Sequence, residues 1–251
     1  MRDINQGVFN QPHVAAYYGS LDEIDPCERH LFAAHLGKGG DILDIGAGGG
    51  RLAAELSAIA GRYVGIDYAP AMIARCRERH PDLDFRPGDA CHLEFPDASF
   101  DACVFSANGI DYLHPDSRRL ACFDEVNRVL KPGGVFIFSH HNARFLLVKP
   151  KLAGVSTPKA AWRILWCLGK NAALWARCLA DGIYWRGEGY RRNVFYGSYL
   201  IHLCTLRRAL EELEPRGFHL LEVVSSDFPD PMRQCLTPWY YYAFQKKDND
   251  K

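Results

Sequence analysis

The feature that most constrains this chain is a glycine-rich turn directly after a short apolar run. Residues 41–50 read DILDIGAGGG, and a helix is predicted over residues 51–60. Glycine has no Cβ and adopts positive φ readily, so the backbone can approach a ligand closely at such a turn. The first N–H groups of the following helix have no partner within that helix. A buried strand, a tight loop and a helix N-terminus together predict a nucleotide-type cradle at the carboxyl end of a parallel strand.

The glycine loop alone fits two classes of cofactor. Gly48, Gly50 and Ala53 match the dinucleotide pattern G-x-G-x-x-A. A second predicted strand ends at Asp67, at about the separation expected of a ribose-binding carboxylate. Both S-adenosylmethionine and a nicotinamide dinucleotide carry an adenosine whose ribose hydroxyls could donate to that carboxylate. The glycine loop and Asp67 alone therefore do not distinguish between these two cofactors.

Further sequence blocks follow the loop in a fixed order. They read GDA at 88–90, LEFPDASFD at 93–101, ACVFS at 102–106 and LKPGGVFIFS at 130–139. With the glycine loop, this succession resembles the class I S-adenosylmethionine-dependent methyltransferases, in particular the small-molecule type, over roughly residues 38–140. A nicotinamide-dependent oxidoreductase is the alternative enzyme, although the GDA block and the KPGG turn have no assigned role there. A cofactor-binding protein without turnover is the alternative from another class.

Alternating strands and helices predict an α/β fold, because parallel strands need crossover helices that cover both faces of the sheet. Strands are predicted at 41–45, 62–67, 83–86, 100–106, 133–139, 218–225 and 239–246, and helices at 51–60, 70–80, 117–130 and 203–213. The resemblance implies a doubly wound, mostly parallel seven-stranded sheet with helices on both faces and the last strand antiparallel. We predict an N-terminal helical segment (1–37), a cofactor-binding core (38–143), a helical cap inserted after the fifth strand (144–200) and a C-terminal part that completes the core (201–251).

The resemblance also implies which residues bind S-adenosylmethionine. Asp44 would attract the amino group of the amino-acid end, Asp67 would accept from both ribose hydroxyls, and Asp89 would accept from the adenine amine. Plainer readings are a strand–helix turn for the loop, an N-cap for Asp67 and an Asx turn for Asp89. The predicted cofactor-binding residues are Asp44, Gly46, Ala47, Gly48, Gly50, Asp67, Tyr68, Met72, Asp89, Ala90 and Ser106.

Two adjacent histidines, His140 and His141, follow the fifth predicted strand. They are the candidate catalytic residues, since a neutral imidazole could remove the proton of a methyl acceptor. Neighbouring residues on a strand point to opposite sides, so we expect at most one ring to face the cleft. No metal site is predicted, because no carboxylate or cysteine stands near this pair at a ligand spacing.

Charge is distributed unevenly along a chain whose net charge is zero. Residues 1–143 hold 13 Lys and Arg against 20 Asp and Glu, whereas residues 144–216 hold 13 against 5. The predicted cap is also aromatic, and we expect Tyr18, Tyr184, Arg191 and Arg192 on the acceptor side of the cleft. The predicted acceptor is therefore a small molecule, anionic or aromatic.

Three basic residues of the cap, Arg163, Lys170 and Arg177, are spaced seven apart and form one stripe on a helix. The stripe is a solvated face, a site for an anionic acceptor, or a peripheral contact with an anionic membrane. Nucleic acid is not expected as a partner, because the chain is neutral overall. The chain shows no signal peptide and no bilayer-length apolar run, so a cytoplasmic location is expected. The oligomeric state is left open.

Overall fold

The computed structural model of the protein describes residues 4–144, 156–192, 199–226, 228–229 and 237–248. Their strands are β1 (Asp41–Ile45), β2 (Arg62–Asp67), β3 (Asp84–Pro87), β4 (Phe100–Phe105), β5 (Leu130–His141), β6 (Glu188–Arg192), β7 (Leu200–Cys204), β8 (Phe218–Ser225) and β9 (Trp239–Lys246). Their α-helices are α1 (Ile4–Phe9), α2 (Pro12–Gly19), α3 (Pro26–His35), α4 (Ala53–Ile59), α5 (Pro70–Arg79), α6 (Asp116–Val129), α7 (Thr157–Ala180), α8 (Ile183–Arg186) and α9 (Leu206–Leu213). Short 3-10 helices cover Gly109–Tyr112 and Glu214–Arg216.

Seven strands form one sheet in the order β3-β2-β1-β4-β5-β9-β8. Strands β1 to β5 pair in parallel, and β9 pairs antiparallel with both β5 and β8. Only the last strand therefore runs against the other six, which confirms the predicted sheet. The strand order reverses at β1, between β2 and β4, and ligands of open α/β sheets bind beyond the carboxyl ends of strands at such a point.

Apolar side chains cover both faces of this sheet. On β5, Phe136 and Phe138 pack into one cluster, while Val135 and Ile137 pack into another on the opposite face. Successive residues of a strand point to opposite faces, so a run of apolar residues fits only a strand that is buried on both sides. The sheet is a rigid layer that fixes the ends of β1, β2 and β4 relative to one another.

The cap contains more than the predicted helix. After α7 and α8, strands β6 and β7 form an antiparallel pair in which Tyr190 lies opposite His202. The predicted helix start at residue 203 is wrong, because residues 200–204 are strand and α9 begins at Leu206. The Thr205 side chain accepts from the backbone N–H of Arg208 at 3.4 Å and caps this helix.

Segments 145–155 and 193–198 of the cap lie outside the described residues. The longest described helix, α7, spans 24 residues and carries four basic side chains. Within the described ranges, none of the helices is both long enough and apolar enough to cross a bilayer. The exact boundaries of the four predicted segments stay a prediction.

Candidate active site

A cavity opens at the carboxyl ends of β1, β2 and β4. Ten of the eleven predicted cofactor residues line it, together with Tyr18 from the predicted acceptor side. The lining residues from that set are Asp44, Gly46, Ala47, Gly48, Asp67, Tyr68, Met72, Asp89, Ala90, Ser106 and Tyr18. The exception is Gly50, which turns away and accepts from Nε2 of His80 through its carbonyl oxygen at 3.0 Å.

The glycine loop joins the floor of the cavity to the N-terminal helices. Gly48 has a φ of 55°, and its N–H donates to Oδ2 of Asp67 at 3.0 Å. A Cβ on Gly49 would lie 2.5 Å from both the Cα of Gly19 and the carbonyl oxygen of Tyr18. No real Cβ tolerates that approach, so the close packing of α2 on the loop requires glycine at position 49.

Two buried carboxylates project from neighbouring strand ends into the cavity. Asp67 accepts from the N–H groups of Gly48 and of Ala69, and Asp44 accepts from the Tyr63 hydroxyl at 2.8 Å. Burial, which disfavours the charged form, raises the pKa of Asp67 to about 6 and that of Asp44 to about 7. Both groups therefore titrate close to neutral pH.

Asp89 lies at the other end of the cavity and is more exposed. Its Oδ1 accepts from the N–H of Cys91 at 2.9 Å, which is the Asx turn, and both of its oxygens accept from Arg118. Partial burial raises the pKa of Asp89, but the bonds from Cys91 and Arg118 outweigh it and hold that pKa below the usual carboxyl value. Asp89 therefore forms the Asx turn and also lines the cavity.

An ion pair that sequence reasoning missed forms part of the wall. The guanidinium of Arg51, just after the glycine loop, donates two bonds to Glu28 of α3, at 2.6 and 2.7 Å. Glu28 also accepts from the hydroxyl of Ser106. The hydroxyl of Ser106, a residue of the cavity wall, thus has Glu28 as its partner. Residues 28, 51 and 106 are far apart in the sequence, so no local spacing predicts this contact.

Aromatic rings form the remaining wall. Phe9 of α1 lies 5.1 Å from Tyr112 and from Tyr199, and 5.7 Å from Tyr18, measured between ring centroids. Its ring also lies 6.1 Å from that of Tyr68 at the end of β2. Phe9, Tyr18, Tyr68 and Tyr112 line the cavity. Helices α1 and α2 thereby cover the cavity with an apolar, aromatic surface.

His140 and His141 are not among the described residues that line the cavity. Both rings instead contact Asp111: His140 through Nδ1, and His141 through Nδ1 at 2.7 Å and its backbone N–H at 2.7 Å. The expectation that at most one ring faces the cleft is not contradicted, because neither ring lines the described cavity. Burial raises the pKa of Asp111, but the two histidines outweigh it and lower that pKa below the ordinary carboxyl value.

The other residues predicted on the acceptor side lie in the cap, apart from the described cavity wall. Tyr184 lies between Trp175 and Trp185, with ring centroids 5.7 and 5.0 Å away. Arg191 forms an ion pair with Asp181, and Arg192 is exposed at the end of β6. The structure therefore does not bring these three residues together with Tyr18.

Comparison with known proteins is consistent with this geometry. Residues 43–138 match the family model described as a methyltransferase domain. A probable S-adenosylmethionine-dependent methyltransferase of Mycolicibacterium smegmatis is 39% identical over 110 residues, covering 43% of this chain and 41% of its own. A phosphatidylethanolamine N-methyltransferase of Cereibacter sphaeroides is 33% identical over 137 residues, covering 52% and 65%. The matches thus span about half the length of these relatives.

Solved structures share the fold. A methyltransferase of Methanosarcina mazei superposes with a TM-score of 0.61 at 20% identity, covering 90% of this chain and 100% of its own. The sheet order, the glycine loop and the family match together show that this chain carries a class I S-adenosylmethionine-dependent methyltransferase domain. The class predicted from the sequence blocks is confirmed.

The residues present fit the cofactor of that class, S-adenosylmethionine. The space beside Gly48 is open, since a Cβ there would meet only the Gly46 carbonyl oxygen, at 3.9 Å. Asp44 and Asp67 are carboxylates, and an ammonium group and ribose hydroxyls are donors that need such acceptors when they leave water.

Proposed function

We propose that this protein transfers the methyl group of S-adenosylmethionine to a small, aromatic or apolar acceptor. The observation that carries the proposal is the composition of one cavity. Carboxylates and a glycine loop form one side of it, and the rings of Phe9, Tyr18 and Tyr112 form the other. The first side suits the polar cofactor, and the second suits an acceptor that stacks on rings.

The sulfonium of the cofactor already makes its methyl group electrophilic, so the chain need only align the acceptor and exclude water. In this proposal Asp67 holds the ribose, Asp44 holds the ammonium group and Asp89 holds the adenine amine. Helices α1 and α2 exclude water by packing on the glycine loop at Gly49. His140 and His141 contact Asp111 rather than the cavity, which does not support their predicted role as the general base.

An aromatic acceptor is better supported than an anionic one. Arg51 is the basic residue among the described lining residues, and Glu28 binds it through two hydrogen bonds. Arg191, which was predicted to hold an anion, pairs with Asp181. An anionic acceptor bound by Arg51 or Arg191 would have to break one of these pairs, whereas an uncharged ring system would not.

Transfer of a radiolabelled methyl group to a panel of planar aromatic acceptors and non-aromatic carboxylates tests this function. We expect labelled product from the aromatic set. Tyr112→Leu should raise the KM for the acceptor at least several-fold with little change in cofactor affinity, and Tyr184→Leu, outside the cavity, is the matched control. Labelling of the carboxylates alone, or a larger effect of Tyr184→Leu, would contradict the proposal.

One further observation favours an acceptor that is reached at a membrane surface. On α7, Cys167, Leu174 and Cys178 are buried, yet Trp162 and Leu165 on the opposite side are 65% and 67% exposed. Contiguous exposed apolar surface marks interaction sites. No acidic residue occurs in α7, and its basic stripe lies between the buried and the exposed faces. This arrangement suits a helix lying in an anionic lipid interface, and one relative is named for a phospholipid acceptor.

Flotation with vesicles tests the membrane contact separately from catalysis. We expect binding to vesicles rich in anionic phospholipid, weaker binding to zwitterionic ones, and loss of binding in the double variant Trp162→Ser, Leu165→Ser. Leu221→Ser removes an exposed leucine from β8 and should bind normally. Equal binding of the double variant would leave α7 as an exposed cap helix without a membrane role.

A further inference from the structure

A second cluster of chemically active side chains lies behind the acceptor side of the cavity. Asp111 comes from the 3-10 helix, His140 from the end of β5 and His202 from β7. A carboxylate oxygen and one ring nitrogen from each histidine lie within 4.8 Å of one another. Each of the three side chains is at most 1% exposed. Three elements far apart in sequence thus place one carboxylate and two imidazoles around a single buried point.

Within this cluster, Nδ1 of His140 is hydrogen-bonded to Oδ1 of Asp111, but His202 is bonded to neither residue. Nδ1 of His202 lies 3.9 Å from Oδ1 of Asp111, which is beyond hydrogen-bond distance. Within the described part of the chain, neither ring nitrogen of His202 has a hydrogen-bond partner, nor does Nε2 of His140. Buried polar atoms are nearly always paired in native proteins. A fully buried histidine whose two nitrogens have no partner among the described residues is therefore a candidate ligand for a metal ion.

The surrounding contacts resemble the outer layer of a metal site. The ring and the backbone N–H of His141 both contact Oδ2 of Asp111, and Oδ1 contacts Nδ1 of His140. On the far side, Oε2 of Glu188 lies 3.9 Å from Nε2 of His202, which is again beyond hydrogen-bond distance. Donors behind a carboxylate, as His141 provides here, are among the contacts that orient ligands toward a metal.

We propose that Asp111, His140 and His202 bind one divalent transition-metal ion, of which Zn²⁺ is the first to test. Two imidazoles and a carboxylate are ligands that Zn²⁺ accepts, at bond lengths of about 2.0–2.2 Å. Tetrahedral ligands at those lengths lie about 3.4 Å apart, so for one pair, Oδ1 of Asp111 and Nδ1 of His202, the observed 3.9 Å needs only a small closure. The hydrogen bond between Oδ1 of Asp111 and Nδ1 of His140 would be replaced by bonds to the ion.

The ion would act as a support for the acceptor wall. Asp111 lies in the same 3-10 helix as Gly109 and Tyr112, both of which line the cavity. A metal that ties Asp111 to β5 and β7 would fix that helix against the sheet and the cap. None of the three ligands lines the cavity, so the ion holds Tyr112 in place and contacts neither cofactor nor acceptor. This role is independent of which acceptor is methylated.

Metal binding can be measured without any activity assay, on the full chain freed of purification tags and stripped with a chelator. After loading with ZnCl₂ and removal of free ion, elemental analysis should give one Zn²⁺ per chain. Co²⁺ in its place should show the visible absorption of a bound ion. Zn²⁺ should also raise Tm. In His202→Gln and Asp111→Asn, the affinity for Zn²⁺ should fall at least about tenfold and the rise in Tm should disappear.

His219→Gln removes a histidine from β8 and is the matched control, which should bind Zn²⁺ as the unchanged chain does. Circular dichroism and S-adenosylhomocysteine binding verify that each variant is folded. A stripped and reloaded chain that retains no Zn²⁺ would overturn the proposal. A loss of Zn²⁺ in His219→Gln as large as that in His202→Gln would also overturn it, because the ion would then be bound by surface histidines.

Discussion

At the scale of single residues, Asp44 and Asp67 make the cavity sensitive to charge. Asp67 is the last residue of β2 and Asp44 the next-to-last of β1; both are buried, and each accepts one or two hydrogen bonds from the described part of the chain. Burial raises the pKa of both. In the proposed function, the hydroxyl donors and the ammonium group of the ligand would be further partners for these carboxylates.

We expect Asp67→Ala to weaken cofactor binding by about 2 kcal/mol or more, because two ribose hydroxyls lose a charged acceptor. Calorimetry with S-adenosylhomocysteine measures the loss. The fold should survive, since burial of the ionised carboxylate disfavours the native state at neutral pH. A collapse of Tm with normal affinity per folded molecule would make Asp67 a structural residue instead.

The raised pKa values also predict a pH dependence. The folded pKa of Asp67 is about 6, above the unfolded value of 3.8, so the native state binds the extra proton and loses stability as pH rises between these values. Ligand binding has the opposite sign, because the ionised form accepts more strongly than the protonated form and can accept through both oxygens. Affinity for S-adenosylhomocysteine should therefore fall from pH 8 to pH 5.5. Asp67→Asn should bind weakly with a smaller pH effect, and equal affinity of the unchanged chain at both pH values would contradict this account.

At the scale of elements, α2 and the glycine loop form one unit. A methyl group at position 49 would meet the backbone of residues 18 and 19, which cannot move as a flexible side chain would. We expect Gly49→Ala to lower the free energy of unfolding by about 1–3 kcal/mol and to weaken cofactor binding. Gly169→Ala, in α7 with nothing within 4 Å of the added methyl, should be neutral or slightly stabilising. Denaturant unfolding measures the free energy of unfolding of both variants. Equal changes in the two would show that α2 can move away from the added methyl group without cost.

Elements that depend on local pattern could be predicted from the sequence, and elements that depend on distant partners could not. Strands β1 and β2 begin and end at the residues that the sequence predicts. The end of β7 falls within the predicted helix over residues 203–213, because its apolar residues fit both periods and only pairing with β6 decides between them. Likewise, the ion pair of Arg51 with Glu28 and the approach of His202 to Asp111 join residues 23 and 91 positions apart. No spacing rule covers such contacts.

At the scale of the whole molecule, the described cavity lies in the acidic first half of the chain, outside the basic cap. The cofactor cavity is built from residues before position 114, whereas the cap adds the β6–β7 pair and α7. We expect replacement of Arg191 and Arg192 with Ala to leave cofactor affinity within about 0.5 kcal/mol, since both lie outside the described wall. Calorimetry checks this, and a larger loss would place the cap in contact with the cofactor.

We expect this cavity to bind S-adenosylmethionine and not a nicotinamide dinucleotide. Both ligands carry adenosine, so the glycine loop and Asp67 alone do not separate them. The most direct measurement is a pair of calorimetric titrations of the full chain, one with S-adenosylhomocysteine and one with NADH, at the same pH and salt. The account predicts saturable one-to-one binding of S-adenosylhomocysteine with a Kd of about 10 µM or tighter, roughly −7 kcal/mol, and no measurable heat with NADH. Preferential binding of NADH would contradict it.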